Sequence, residues 1–352
     1  MITRRAGVLP TPDPILLADA ALAPDDAHDR FAAQVPALAA VEHRPAPVER
    51  PVGARLRVAA WNAERLKYHA PSATLLRGAD VVLLTEADIG MARSGNRHTV
   101  RDLAEALGMG WAYGVEFVEL GLGDSRECIW HADEDNRVGL HGNAILSRHK
   151  LLEPVIIPLD AGGTWFAGRS GNQRRLGGRM AIAARLDTPR PLWLVAAHLE
   201  SHSDAADRGR QGERLVAEIE RLIPADAGVV LGGDFNTFDT LGPAGGRRDP
   251  ARLLEAPEEV EPLFAVLRDA GFDWRRCNTA EPTQRTRPDG TPLPPFAKLD
   301  WLFTRHVEAE APETIPAVDV AGAAISDHDV VAATVATGVV GVDRKAEADV
   351  EA

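Results

Sequence analysis

The chain has 352 residues, 45% of them hydrophobic and 26% charged, which is ordinary for a folded globular protein. Its formal net charge of −13 supplies no global basic field, so a non-specific duplex binder is disfavoured and any phosphate must be drawn to a local site. Two cysteines, Cys128 and Cys277, stand far apart in no metal-ligating spacing, which excludes a disulfide framework and a zinc knuckle and leaves two separate thiols as the simplest expectation.

Residues 1–54 are rich in Ala, Pro and Asp and read as an N-terminal extension. Proline and aspartate interrupt any apolar stretch after Met1, so no secretory leader is read and a cytoplasmic location is the expectation. One short helix is expected around Asp26–Ala39, and Arg44–Pro51 reads as a linker or surface strap. From residue 55 to 337 the chain reads as one catalytic domain in which strand and helix patterns alternate. Short apolar runs at Leu56–Trp61, Val81–Thr85, Ala144–Leu146, Met180–Ala184, Leu192–Ala197, Gly228–Leu231, Leu299–Phe303 and Val330–Val335 predict buried strands. Helical periodicity marks Thr99–Leu107, Asp204–Ile223 and Val260–Ala270. Many strands with few helices predict two packed β-sheets with helices outside. Residues 338–352 are small and charged and read as a frayed tail. No run approaches the ~20 apolar residues that a membrane-spanning helix needs.

Four of these strands run into polar residues: Trp61 into Asn62, Thr85 into Glu86, Ala197 into His198, and Gly232-Gly233 into Asp234-Phe235-Asn236. A strand buried on both faces should not end repeatedly in such groups unless they meet something polar, because each unpaired burial costs several kcal/mol. Convergence on a cation satisfies them together, and a donor set dominated by oxygen suits Mg²⁺ or Mn²⁺ better than zinc. Asp300 stands within the apolar run after Lys298, and Ser326-Asp327-His328 precedes the last strand. Asp327 and His328 thus set a metal-type carboxylate beside a general base, while Asp300 can hold the histidine in one tautomer. Each feature alone has a plainer reading, a strand cap for Asn62, a turn for Gly232–Asn236 or a core histidine for His198. Glu200-Ser-His202 lacks the paired-His spacing of zinc sites. The basic cluster from Asn172 to Arg179 is an ordinary loop or a source of arginine for substrate phosphate.

The ordered set Trp61-Asn62, Glu86, Gly142–Ser147, His198-Leu199, Gly232–Asn236, Leu299–Trp301 and Ser326–His328 resembles the endonuclease/exonuclease/phosphatase superfamily, with the DNase I-like fold. The resemblance covers about residues 55–337 and implies a four-layer α/β sandwich of two mixed sheets. It further implies that Asn62, Glu86 and Asp327 hold Mg²⁺ or Mn²⁺, with Asp234 and Asn236 across the site near the attacking water or a second metal. His328, oriented by Asp300, serves as general base or positions the nucleophile, and His198 faces the leaving group or a phosphate oxygen. The implied reaction is in-line attack of water on phosphorus. A histidine at position 198 is typical of members resembling DNase I, sphingomyelinases and inositol-polyphosphate phosphatases, and atypical of apurinic-site endonucleases. The expected substrate is a phosphorylated small molecule, a lipid-like phosphoester or another phosphodiester. The alternatives are a nuclease acting on DNA or RNA, and a non-catalytic binding module.

Overall fold

The apolar runs become strands whose side chains alternate between two cores. The structure is a computed structural model that describes residues 3–160, 163–168, 173–238, 254–285, 291 and 297–338. In chain order its first elements are β1 (Arg4–Ala6), α1 (Pro14–Leu22), α2 (His28–Ala32), β2 (Ala40–Arg44), β3 (Arg55–Arg65), α3 (His69–Leu75) and β4 (Val81–Ile89). Then come α4 (Thr99–Leu107), β5 (Gly110–Glu119), α5 (Ser125–Trp130), β6 (Leu140–Ser147), β7 (Leu151–Pro158), α6 (Thr164–Gly168), β8 (Arg175–Gly177) and β9 (Met180–Leu186). The last are β10 (Leu192–His198), α7 (Ala205–Leu222), β11 (Gly228–Asp234), α8 (Pro262–Asp269), β12 (Asp300–Arg305), β13 (Ala309–Ile315) and β14 (Val330–Ala336).

The larger sheet runs β1-β2-β5-β6-β4-β3-β14-β13, with β8 added beside β5, and the smaller runs β12-β11-β10-β9-β7. Both are mixed: β3 with β4 and β10 with β11 pair in parallel, while β11 with β12 and β3 with β14 are antiparallel. Strand side chains alternate with a period of two. Leu56, Val58 and Ala60 therefore meet Ile182, Leu194 and Val230 in the core between the sheets. Ala59, Trp61 and Ala63 point the other way, into a core shared with Leu103 and Leu107 of α4. On the far side, Trp193, Val195, Leu231 and Phe303 pack against Leu215 and Ile219 of α7 and Leu263 and Leu267 of α8. The order is helices, sheet, sheet, helices, the DNase I-like arrangement, with each fully buried large aliphatic side chain contributing about 1.5–3 kcal/mol.

The helices expected at 99–107 and 204–223 form, the second capped by the Asp204 carboxylate, which accepts from Asp207 N at 2.8 Å. The N-terminal segment differs from expectation. Its helix stops at Ala32, and a 3-10 turn from Pro36 to Ala39 leads into β2, which pairs antiparallel with β5. Pro36 cannot donate within a helix, which accounts for the break. Residues 1–54 thus supply two strands to the larger sheet, and the Glu42 carboxylate ties β2 down by accepting from Leu9 N at 3.2 Å and pairing with His98 Nε2 at 3.1 Å. Asp300 opens β12 rather than lying inside it. Asn62 and Glu86 stand at register irregularities within β3 and β4 rather than at strand ends. Both cysteines are free thiols, Cys277 buried and Cys128 exposed. No described helix is long and apolar enough to cross a membrane. The tail beyond Gly338 and Phe296 lie outside the described residues.

Candidate active site

The alternation that builds the core between the sheets also builds the site. Leu192, Leu194 and Ala196 of β10 face the opposite sheet, so the next position on that stripe is His198. On β11 Val230 is followed by Gly232 and Asp234, and on β12 Leu302 shares its face with Asp300. Pairing register sets these three polar groups side by side, with His198 opposite Asp234 and Asp234 opposite Asp300. On β3 the stripe Leu56, Val58, Ala60 continues to Asn62. The approach is close enough to require glycine: a Cβ at Gly232 would meet Leu302 Cδ2 at 2.6 Å and Leu83 Cδ1 at 3.0 Å. Gly233 has φ +141°, and a Cβ there would lie 2.0 Å from Ala197 O. Glu86 reaches the same place by another route, with φ 57° at the β4 irregularity re-aiming its side chain.

A chain of hydrogen bonds fixes the group. His328 Nδ1 lies 2.7 Å from Asp300 Oδ2, so Nε2 is the nitrogen facing Asp234 Oδ2 at 3.8 Å and Asp327 Oδ1 at 3.9 Å. Asn62 Nδ2 donates to Asp234 Oδ2 at 2.9 Å and to Glu86 Oε1 at 3.0 Å. The loop carrying Asp327 and His328 is stapled to β3, because Ser326 Oγ donates to Asn62 O at 2.7 Å and Trp61 Nε1 donates to His328 O at 2.9 Å. His198 Nε2 stands 3.6 Å from Asp234 Oδ2. Asn236 is committed to its turn: its N–H donates to Asp234 Oδ1 at 2.8 Å and its Nδ2 to Leu199 O at 2.9 Å.

These groups are buried, and their charges respond to one another. Burial opposes protonation of His328, but Asp300, Asp234 and Asp327 outweigh it and hold the imidazole protonated well above its usual range. Burial likewise opposes ionisation of Glu86, yet Arg65 beside it keeps its carboxyl well below the usual carboxylate range. Asp327 is pushed up to about 7, first by burial and then by Glu64 and Glu86, against the pull of His328. Carboxylates gathered in this way suit a divalent cation, and Glu86 and Asp327 bring oxygen atoms, while Asn62 turns Nδ2 to Glu86 and Asp234 and its Oδ1 accepts from Glu64 N at 3.1 Å. Among the described residues, the group of His and carboxylate atoms close enough to share one ion is Asp234, Asp300 and His328. We read that trio as a proton-handling row instead, because Asp300 and His328 already satisfy each other at 2.7 Å.

A cavity of about 370 Å³ opens over these groups, lined by Glu86, His198, Asp234, Asn236, Asp327 and His328 and, on another wall, by Phe117, Trp165 and Arg175. A larger apolar cavity of about 690 Å³ beside α2 has only Arg179 in common with it among the described lining residues, and it holds none of the Asp–His row.

The larger sheet contributes a second set of residues that the strand-end pattern does not reveal. Arg179, from the basic cluster, is buried and donates from Nη1 to Glu116 Oε1 at 2.7 Å, while its Nε reaches Glu200 Oε2 at 3.3 Å. The same Nη1 lies 2.9 Å from His198 Nδ1, and His198 is therefore flanked by Arg179 and Glu116. Arg65 pairs with Glu86 at 3.1 Å and with Glu127 at 2.8 Å. Arg93 joins Glu127 to Asp88, which in turn meets His141 Nδ1 at 2.7 Å. Glu116 inside the apolar run of β5 carries the same signal as Asp300, a carboxylate where the stripe requires a core residue. Arg65 has no such mark.

The sequence profile of the Endonuclease/Exonuclease/phosphatase family matches residues 41–328. No curated protein matches the chain by sequence. Among solved structures, an endonuclease/exonuclease/phosphatase from Beutenbergia cavernae is similar at 18% identity and TM-score 0.53, covering 81% of this chain and 72% of its own. One from Bacteroides vulgatus is similar at 16% identity and TM-score 0.51, over 80% of this chain and 99% of its own. The Bacteroides thetaiotaomicron mannosyl-6-phosphatase Bt3783 is similar at 14% identity and TM-score 0.50, over 80% and 99% respectively. A profile match that begins in β2 and runs through His328, over an Asn–Glu–His–Asp–Asp–His site at the rim of two packed sheets, places this chain in the Endonuclease/Exonuclease/phosphatase family.

Proposed function

We propose that the protein is a divalent-metal-dependent hydrolase of phosphoester bonds that acts on a small phosphodiester or phosphomonoester. The observation that carries this is the buried row Asp300–His328–Asp234, with Asn62 bonded to Asp234 and Glu86, beside a cavity lined by Glu86, Asp234, Asp327 and His328. Asn62, Glu86 and Asp327 would hold Mg²⁺ or Mn²⁺, which supplies charge to a phosphoryl oxygen and acidifies water. Asp234, fixed by Asn62 and by the N–H of Asn236, orients the attacking water and takes its proton. His328, kept charged by its three carboxylate neighbours, donates from Nε2 to the phosphoryl oxygens, and Asp300 holds its ring in place. His198, braced by Arg179, faces the leaving group. Asn236 contributes through the turn that aims Asp234.

The modest size of the cavity, about 370 Å³, favours a small substrate over a nucleic-acid duplex, as does the net charge of −13. The fold is shared with a protein described as a mannosyl-6-phosphatase, and so with a phosphatase of a small sugar ester. A nuclease is the second reading, since the family is named for endonucleases and exonucleases as well as phosphatases. Assays of a generic phosphodiester, several phosphomonoesters, plasmid DNA and RNA with Mg²⁺ or Mn²⁺ test the proposal. Hydrolysis of a small ester that EDTA abolishes and that Asp234→Asn lowers by about 10²–10⁴-fold is expected, with the plasmid left intact. Turnover indifferent to EDTA would remove the metal from the proposal, and turnover indifferent to Asp234→Asn would remove the mechanism.

A further inference from the structure

Four arginines line the cavity, Arg65, Arg93, Arg175 and Arg179, and three of them are spent on the protein itself. Arg65 is drawn between Glu86 and Glu127. Arg93 donates from Nε and Nη2 to Asp88 and from Nη1 to Glu127, and Arg179 reaches Glu116, Glu200 and Ser201. Arg175 is different. Its Nε donates to Glu119 Oε2 at 3.1 Å, and its two Nη groups have no partner among the described residues.

The Arg175 guanidinium is nevertheless held rigidly. It lies 4.1 Å from the centroid of Phe117, whose ring stacks on His141 at 4.5 Å, and 5.5 Å from the centroid of Trp165. Trp165 is fixed in turn by donating to Glu200 Oε2 at 2.8 Å. Only 14% of the Arg175 side chain is exposed, and it lines the cavity that holds the metal-type carboxylates. Burial, with Arg93 nearby, holds the guanidinium below its usual range despite Glu119. A planar fork clamped by aromatic rings, with its outer edge open to a substrate cavity, is suited to an oxyanion, because its geometry is set before the ligand arrives. Its strand stands apart from the one that carries Glu86: β8 lies three strands from β4, through β5 and β6, or about 14 Å across the sheet at the backbone.

We propose that Arg175 is a second anion-recognition point in this cavity, so that the preferred substrate carries a carboxylate or phosphate in addition to the phosphoester that is cut. This rests on reading the cavity as a phosphoester site. A longer substrate would span from the Asp–His row to the aromatic wall, and an uncharged one would leave the fork unanswered.

Phenyl phosphate, 4-carboxyphenyl phosphate and 1,4-phenylene bisphosphate, compared with Mg²⁺ present, test it for wild type and Arg175→Gln. The wild type is expected to prefer at least one dianionic-ended substrate, and Arg175→Gln to reduce that preference in kcat/KM by about 10–100-fold, mainly through KM. Preference for the carboxylate or for the phosphate tells which oxyanion is read. Arg175→Lys, which keeps the charge and loses the fork, is expected to recover only part of the preference. Calorimetric binding of 4-carboxybenzylphosphonate against benzylphosphonate, whose P–C bonds are not hydrolysed, gives a readout that does not need turnover. If the carboxylate strengthens binding in wild type and not in Arg175→Gln, the subsite stands even where no ester is cut, and only the hydrolase reading fails. If neither the carboxylate nor the second phosphate gives an advantage in binding or turnover, or if Arg175→Gln retains the advantage, the subsite is overturned.

Discussion

The two sheets bring different chemistry to the same cavity. The smaller sheet contributes His198, Asp234 and Asp300, three groups in adjacent pairing register on β10, β11 and β12, each the polar end of an apolar stripe. The larger sheet contributes Asn62 and Glu86, and behind them a lattice in which Arg65, Arg93 and Arg179 are each shared between carboxylates. In the first region position follows from strand periodicity, with His198 and Asp234 lining the cavity and Asp300 held behind His328. In the second, ionic side chains mostly satisfy one another, so removing any of them first uncovers a buried charge. The contrast is between a reactive edge and its scaffold, and it makes different observables respond on the two sides.

The sharpest test is Asp300→Asn. It keeps the shape of the Asp300–His328 contact while weakening the hold on the imidazole, so kcat should fall by about 10²–10⁴-fold with the melting temperature nearly unchanged. A comparable loss of stability would show that Asp300 belongs with the scaffold. On the other side, Arg93→Ala removes both guanidinium bonds from Asp88 and one of the two arginines from Glu127, leaving Asp88 to His141 and Glu127 to Arg65, where the Arg93 and Asp88 side chains are 1% and 0% exposed. That should cost about 3–5 kcal/mol in urea denaturation. A cost under about 1 kcal/mol would mean that the lattice relaxes and solvates, as surface pairs do.

A gentler probe uses acid. Folding lowers Glu116 from its ordinary 4.5 to about 2, because Arg179 and then His198 outweigh the burial that opposes its ionisation. A lowered carboxylate stabilises fully above the unfolded value, and that contribution is lost as pH falls from about 4.5 through about 2. Glu116→Gln should therefore be less stable at neutral pH and show a shallower fall in melting temperature across that window. An acid limb parallel to wild type would remove Glu116 from the lattice. The smallest effect belongs to the exposed pair Arg210–Asp207 on α7, where Arg210→Ala should change stability by less than about 1 kcal/mol.

The same contrast explains what could be read from the sequence. His198, Asp234 and Asp300 are visible there because a period of two forces a polar residue onto an otherwise apolar stripe, and Asp327 and His328 because they directly precede such a stripe. The position of Asn62 follows the same rule. Glu86 is visible as a residue but not as a geometry, since its aim depends on an irregular register and a positive φ that no local pattern announces. Arg65 and Arg93 escape because arginine in a loop or at a strand margin is ordinary in sequence, and Arg175 is legible only as one member of the basic cluster from Asn172 to Arg179, since the tertiary arrangement alone reveals what each one faces. β2 escapes for a related reason: Val41 and Glu42 join the sheet through pairing with β5, far along the chain, and not through any strong strand pattern of their own.

The staple between Ser326 and Asn62 has a consequence in time. It joins residues 264 apart in sequence, and the strand after it, β14, seats itself beside β3 within the sheet. A chain emerging from the ribosome can pair β3 with β4 early, yet Asp327 and His328 reach Asn62 only after β5 to β13 have been made. The two halves of the cavity are in this way brought together after the strands that frame them, and a product ending before Ser326 would keep β3, β4, β10, β11 and β12 but lack Asp327 and His328.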